Sequence, residues 1–188
     1  MSAGHVLESN LAALVVIDVQ EKMLSAVNSD PRNEIVASIK RIIGAARILE
    51  IPILRTEQNP QGIGPTVAEL KAPLVESRGP LVKATCSCWR DETFRNELQR
   101  TEREHVILVG LETHVCIQQT ALDLLRVDYV PFVAADATGS RRLRDKDTAL
   151  ERLRAAGVIV STTEALIFEL VERCDHPKFK DVLKVIKE

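Results

Sequence analysis

The chain has 188 residues, of which 45% are hydrophobic and 28% charged, and its formal net charge at pH 7 is −2. These values suit a globular domain with a buried core, and without a basic surplus neither nucleic acid nor a membrane surface is an expected partner. Aromatic residues make up only 3%, too few for base-stacking platforms. No apolar run reaches the roughly 18 residues of a membrane span, and residues 1–10 lack the pattern of a secretory signal. We therefore expect a cytoplasmic protein whose four cysteines stay reduced.

The first half of the chain alternates apolar runs with helical patterns. Residues 11–17 form a continuous apolar run, which is typical of a strand buried on both faces. The segment 56–66 contains two prolines and two glycines, so it is predicted to be a loop. The predicted elements of this half are strands at 11–17, 51–54 and 81–83 and helices at 35–49 and 91–100.

The second half continues this alternation. Gly110 is predicted to end a strand and Gly157 a helix. The predicted elements are strands at 105–109, 129–134 and 158–160 and helices at 115–127, 143–156 and 163–173. The pattern favours one α/β domain over residues 1–188, with three layers around a mainly parallel six-stranded sheet. Its core is expected at 10–172, followed by a C-terminal tail helix over 173–188.

Three polar residues of different chemistry lie at the ends of predicted strands. Asp18 comes directly after the first strand, Lys83 ends the third, and Cys116 lies just past the fourth, where the next helix begins. Parallel sheets of this kind bind ligands outside the carboxyl ends of their strands. We therefore expect these three side chains to share a site.

These residue types suit nucleophilic catalysis by a thiol. A helix N-terminus and a nearby cation such as Lys83 both favour a thiolate, so the pKa of Cys116 is expected to be lowered. Asp18 is placed to accept the thiol proton and return it to a leaving amine. Backbone N–H groups at the helix start, including that of Cys116, are expected to bind an oxyanion. The ordinary alternatives stay open, namely a structural cysteine, a capping aspartate and a solvated lysine.

Several motifs, in order along the chain, resemble the isochorismatase-like cysteine hydrolase superfamily. They are residues 14–20 (LVVIDVQ), 106–121 (VILVGLETHVCIQQTA) and 135–142 (ADATGSRR), with Lys83 in the expected interval. The resemblance implies a Rossmann-like three-layer fold, a catalytic triad of Asp18, Lys83 and Cys116, and a homo-oligomer of two or more chains. It also implies a non-proline cis peptide at Leu111–Glu112, with the N–H groups of Glu112 and Cys116 forming the oxyanion hole.

Two departures from relatives in that superfamily narrow the expected activity. Nicotinamidases of the superfamily carry a metal-binding Asp and His pair after the second strand, whereas the loop here begins TEQNPQG and has no histidine. We therefore expect no catalytic metal and no cofactor. Isochorismatases that cleave a vinyl ether lack the nucleophilic cysteine, so Cys116 argues against that reaction. The prediction is a metal-free, amidase-like hydrolase acting on a small molecule.

Other residues are predicted to line the pocket. They are Gln20, Thr56 and Trp89, the last as an apolar wall, although simple packing is the alternative for Trp89. Cys86 and Cys88 form a Cys-x-Cys pair, which is too few ligands for a typical zinc site. The segment 85–89 that contains them is instead expected to line the pocket. Two other classes of function remain open, a catalytically silent scaffold of the same fold and a redox-reactive thiol protein that uses Cys116 without hydrolysis.

Overall fold

The computed structural model describes residues 6–187, and its six parallel strands form one sheet with helices packed on both faces. The order across the sheet is β3-β2-β1-β4-β5-β6. The strands are β1 (Ala12–Ile17), β2 (Ile53–Gln58), β3 (Arg78–Lys83), β4 (His105–Leu111), β5 (Val130–Gly139) and β6 (Ile159–Ser161). The predicted α/β fold class is confirmed, and the predicted domain limits at residues 1 and 188 lie outside the described residues.

The helices divide into short connecting pieces and longer ones that cover the sheet. The short ones are α1 (Glu21–Ala26), α3 (Pro60–Ile63) and α4 (Ala68–Lys71). The longer ones are α2 (Arg32–Ile48), α5 (Glu92–Gln99), α6 (Gln118–Leu125), α7 (Leu143–Ala156), α8 (Thr163–Val171) and α9 (Phe179–Lys187). A 3-10 turn at Cys88–Arg90 precedes α5, and a π-helical turn at Thr113–Ile117 runs directly into α6. Within residues 6–187 no helix is both long and apolar enough to cross a membrane.

Two apolar cores, one on each face of the sheet, fix its position between the helices. In β1 the side chains of Ala12, Leu14 and Val16 pack into one core, which also holds residues of α2, α8 and α9. Ala13, Val15 and Ile17 pack into the other, with residues of α5, α6 and α7. Because successive strand residues point to opposite faces, a strand that is apolar throughout must be covered on both sides.

Several predicted elements have different limits in the structure. β5 continues to Gly139 rather than ending at residue 134, and Gly110 does not end β4, which runs on to Leu111. β2 continues to Gln58 rather than ending at residue 54, since Thr56 and Gln58 pair with β1 and β3 in the sheet. β3 begins at Arg78, within what reads as a turn. The predicted tail helix over 173–188 ends outside the described residues, and within 173–187 the helical part is Phe179–Lys187, after Pro177.

Gly110 brings the carboxyl ends of the two central strands together. It has φ +119° and pairs with Ile17 of β1. A Cβ at this position would lie 2.0 Å from the Ile17 carbonyl oxygen, a backbone atom that cannot move aside without breaking the pairing. Glycine is therefore required here both for its conformation and for its size.

Replacing Gly110 is expected to destabilise the fold strongly. The change Gly110→Ala adds a left-handed backbone penalty to a clash with backbone, together about 3 kcal/mol or more. Gly157→Ala is the matched control, since Gly157 has φ +98° but an added Cβ would meet nothing within 4 Å. It should lose only about 1–2 kcal/mol in a urea unfolding titration. Equal losses in the two variants would show that the approach of β1 to β4 tolerates a side chain.

Candidate active site

The candidate site lies at the carboxyl edge of the sheet, where the strand order changes direction between β1 and β4. Asp18 directly follows β1, and Cys116 lies in the helical turn after β4. β1 and β4 are neighbours in the sheet, so both residues flank the crevice in which parallel sheets bind ligands. Lys83 ends β3, which lies at the edge of the sheet, two strands away from β1.

The Lys83 side chain crosses that distance and meets both other residues. Its Nζ lies 2.6 Å from Oδ2 of Asp18 and 3.8 Å from Sγ of Cys116. All three residues are almost fully enclosed, with exposures of 0% for Asp18, 2% for Lys83 and 4% for Cys116. A carboxylate, an ammonium group and a thiol thus share one enclosed space, where charges interact more strongly than in water.

Asp18 is held by its backbone and by a hydroxyl group. Its φ of +51° lies in the left-handed region, which aspartate tolerates better than most residues. The hydroxyl of Thr56 donates a hydrogen bond of 2.7 Å to Oδ1, which leaves Oδ2 for Lys83. Both carboxylate oxygens therefore have a fixed partner, and the carboxyl group is pre-oriented.

Burial is the largest influence on the pKa values of the two buried thiols, those of Cys116 and Cys88. It raises the pKa of Cys116 above its usual range, and the Asp18 carboxylate raises it further, although Lys83 acts the other way. Burial likewise raises the pKa of Cys88 to about 12. The expectation of a lowered thiol pKa at Cys116 is therefore wrong, because loss of solvent outweighs the helix start and the nearby cation.

Lys83 is held in its charged form. Burial lowers the pKa of its ammonium group, but the nearby Cys88, Asp18 and Cys116 together outweigh burial, so the pKa stands above its ordinary value. At neutral pH the resting site therefore contains a neutral thiol beside an ammonium group. Ionising Cys116 requires its proton to move to another group. Asp18 supplies the carboxylate of the cluster and is the group that can accept this proton.

The segment between β4 and α6 carries the predicted oxyanion donors. The Leu111–Glu112 peptide is cis, and Glu112 precedes the turn Thr113–Ile117. Cys116 lies in this turn between Val115 and Ile117, whose N–H groups donate to the Glu112 carbonyl oxygen. The Glu112 side chain is paired with Arg141, whose Nε lies 2.6 Å from Oε1.

Residues 12–165 match the isochorismatase domain. The chain belongs to the isochorismatase family. It is 40% identical over 187 residues to isochorismatase domain-containing protein 2 of Homo sapiens, a match that covers 100% of this chain and 88% of the human protein. The corresponding protein 2A of Mus musculus is 38% identical over 187 residues, covering 100% of this chain and 87% of the mouse protein.

Solved structures of isochorismatase-like proteins share the fold. A structure described as MAR1 ribonuclease from Caenorhabditis elegans has a TM-score of 0.90 and 40% identity, covering 97% of this chain and 92% of that one. YcaC from Pseudomonas aeruginosa, described with hexane-2,5-diol and covalent acrylamide, has a TM-score of 0.90, 26% identity and the same coverage. YcaC from Escherichia coli, described as an octameric hydrolase of unknown specificity, has a TM-score of 0.85 and 23% identity, covering 96% of each chain.

The other predicted pocket residues of this isochorismatase-family chain take different places. Thr56 reaches the site through its bond to Asp18 but is itself 1% exposed, so it orients the carboxylate from behind. Gln20 is fully buried, and its amide bonds to the backbone of Gln58, the last residue of β2, and of Gly64, which follows α3. The Trp89 ring packs against Tyr129, with ring centroids 5.5 Å apart, just before the amino end of β5.

One residue of the site, Gln58, was not predicted from the sequence, whereas Cys88 belongs to the segment predicted to line the pocket. Gln58 accepts a hydrogen bond of 2.6 Å from Nζ of Lys83, and Cys88 lies buried with its Sγ 4.0 Å from the Thr56 hydroxyl. Reading the TEQ segment as the end of a strand rather than a loop would have placed Gln58 beside Lys83. Within residues 6–187, no cluster of three or more His, Cys, Asp or Glu side chains is arranged to hold a metal ion.

Proposed function

We propose that this chain is a cysteine hydrolase that cleaves small amide-like carbonyl compounds through a thioester on Cys116. The observation that carries the proposal is the buried contact of Lys83 Nζ with both Asp18 Oδ2, at 2.6 Å, and Cys116 Sγ, at 3.8 Å. Enclosing a charged pair against a thiol is costly for folding alone, so its presence at the ligand-binding edge of the sheet favours catalysis.

In the first half of the proposed reaction, Asp18 takes the proton of the Cys116 thiol as Sγ attacks the carbonyl carbon. The oxyanion accepts hydrogen bonds from the N–H groups of Glu112 and Cys116. When the tetrahedral intermediate collapses, the C–N bond breaks and the leaving amine takes the proton from Asp18. The products are a free amine and a thioester on Cys116, with Asp18 again ionised.

In the second half, Asp18 removes a proton from a water molecule, which attacks the thioester carbon. The C–S bond then breaks, the proton returns to Sγ, and the acid product leaves. Lys83 remains charged throughout and stabilises the thiolate formed in each half. Asp18 carries the proton between the Cys116 thiol, the leaving amine and the water molecule in this scheme.

A related structure supports a reactive nucleophile in this fold. YcaC from P. aeruginosa is described with covalent acrylamide, and acrylamide is an electrophile that reacts with thiolates. For this chain we propose that the reacting atom is Sγ of Cys116. We also propose a cytoplasmic homo-oligomer, and the octamer described for the E. coli protein is consistent with assembly.

RNA cleavage is a second candidate, favoured by the name of the C. elegans structure at 40% identity. The formal net charge of −2 provides no general attraction for a polyanion. The enclosure of Asp18, Lys83 and Cys116 suits a small substrate better than a polymer. RNA therefore belongs in the test as a competing substrate.

The test is a hydrolysis screen over small amides, ureides, esters and RNA, comparing wild type with Cys116→Ala. Hydrolysis of at least one small carbonyl substrate is expected to fall by about 10³-fold or more in Cys116→Ala. Cys174→Ala removes an exposed cysteine far along the chain and should keep wild-type rates. Hydrolysis that survives in Cys116→Ala would contradict covalent catalysis, and cleavage of RNA alone would favour the second candidate.

A further inference from the structure

The ammonium group of Lys83 lies among acceptor atoms, four oxygens and, at 3.8 Å, Sγ of Cys116. Its Nζ lies 2.6 Å from Oδ2 of Asp18, 2.6 Å from Oε1 of Gln58 and 3.1 Å from the Thr85 carbonyl oxygen. The Cys86 carbonyl oxygen lies at 3.5 Å. An ammonium group has three N–H donors, and the amide and peptide carbonyls among these partners can only accept. The surroundings of Lys83 therefore suit the charged ammonium form, which donates hydrogen bonds and accepts none.

The amide of Gln58 has only one orientation that satisfies both of its neighbours. Its Oε1 faces Nζ of Lys83, a donor, while its Nε2 donates a bond of 2.9 Å to the Ala84 carbonyl oxygen. Rotating the amide by half a turn would place N–H against N–H and oxygen against oxygen. The amide thus joins the side chain of Lys83 to the backbone of the next residue.

Gln58 is itself fixed by a second glutamine. The buried Gln20 accepts a bond of 2.8 Å from the Gln58 backbone N–H and donates one of 3.0 Å to the Gln58 carbonyl oxygen. The same Nε2 also donates to Gly64, so both ends of the Gln20 amide are bonded. The two glutamines therefore form a chain of hydrogen bonds from the segment after β1 to the end of β3, where Lys83 lies.

We infer that Gln58 is a positioning residue that holds the Lys83 ammonium group, charged, against Asp18 and Cys116, and that Gln20 anchors it. This rests on the proposed function of the Asp18, Lys83 and Cys116 cluster. The need for such a device follows from the topology, because Lys83 comes from the edge strand β3 and must extend past β2 to reach the β1–β4 crevice. The ordinary alternative is that Gln58 only stabilises the pairing of β2 with β3 at the end of the sheet.

The test compares Gln58→Met, which removes both amide contacts at similar length, with Gln61→Met on the exposed surface of the neighbouring helix α3. Two quantities are measured in the full chain, the NMR titration midpoint of the labelled Lys83 side chain and the rate of Cys116 alkylation by acrylamide at pH 7. Asp18, Cys88 and Cys116 are the ionisable groups coupled to Lys83, and all three are retained. A role confined to stabilising the pairing of β2 with β3 would leave the Lys83 midpoint unchanged.

In Gln58→Met, the Lys83 midpoint is expected to fall by about one pH unit, and alkylation of Cys116 to slow by about tenfold. Gln61→Met should match wild type in both. Gln58→Glu restores an acceptor and should return the Lys83 midpoint to at least its wild-type position. An unchanged midpoint in Gln58→Met would overturn the inference. If wild-type Cys116 reacts no faster than Cys174, the proposed function fails instead, and the Lys83 midpoint still decides whether Gln58 holds the cation.

Discussion

Asp18→Asn is expected to reduce turnover by about 10²- to 10⁴-fold, the usual contribution of a general acid–base group. Asparagine can keep the hydrogen bond from Thr56 and tolerates the left-handed backbone of position 18. It cannot take the proton of Cys116 or return it to a leaving group. The loss should therefore be in kcat, with the fold retained.

The same variant should change how alkylation of Cys116 depends on pH. In wild type the proton passes from Sγ to Asp18 inside the site, so the number of bound protons stays the same and the rate should be flat near neutral pH. In Asp18→Asn the proton must leave to solvent, so the rate should rise about tenfold per pH unit below the thiol pKa. Asp128→Asn is the matched control, since Asp128 is exposed and has a similar φ of +65°. A parallel dependence in wild type and Asp18→Asn would remove Asp18 as the base.

Lys83→Met is expected to lower the free energy of unfolding by about 3–5 kcal/mol, as well as to abolish turnover. The variant leaves the Asp18 carboxylate at 0% exposure without its cation. Lys71→Met, at an exposed position in α4, should change stability by less than about 0.5 kcal/mol in the same denaturant titration.

A double variant separates the charge effect from lost packing. Asp18→Asn combined with Lys83→Met removes both charges and should recover most of the stability lost in Lys83→Met, while remaining inactive. If the double variant is as unstable as the sum of the two single variants, the ion pair contributes nothing and the loss is one of packing.

The strand ends could be predicted because they depend on local patterns. A continuous apolar run followed by aspartate places Asp18 at the end of β1, and a strand, a glycine and a helical pattern place Cys116 after β4. From these signals the sequence predicts that Asp18 and Cys116 share a site with Lys83, and these three residues are in contact in the structure. The fold class followed from the same alternation of strands and helices.

The rest depends on contacts between distant parts of the chain. Thr56 and Gln58 look like loop residues, and only their pairing with β1 and β3 makes them part of a strand. The pKa of Cys116 depends on how completely the site is enclosed, which no local pattern gives. Trp89 was expected to supply an apolar wall of the pocket, and no local pattern predicts the contact of its ring with Tyr129.

The central claim, that Cys116 is an activated nucleophile, is tested most directly by limited alkylation of the native protein. Acrylamide is added below stoichiometry at pH 7, and each cysteine is quantified by peptide mass spectrometry. Exposure alone would favour Cys86 and Cys174, which are exposed, over Cys116, which is 4% exposed. Assistance by Asp18 and Lys83 predicts that Cys116 is modified first and that buried Cys88 stays unmodified. Modification of Cys86 and Cys174 before Cys116 would contradict the account.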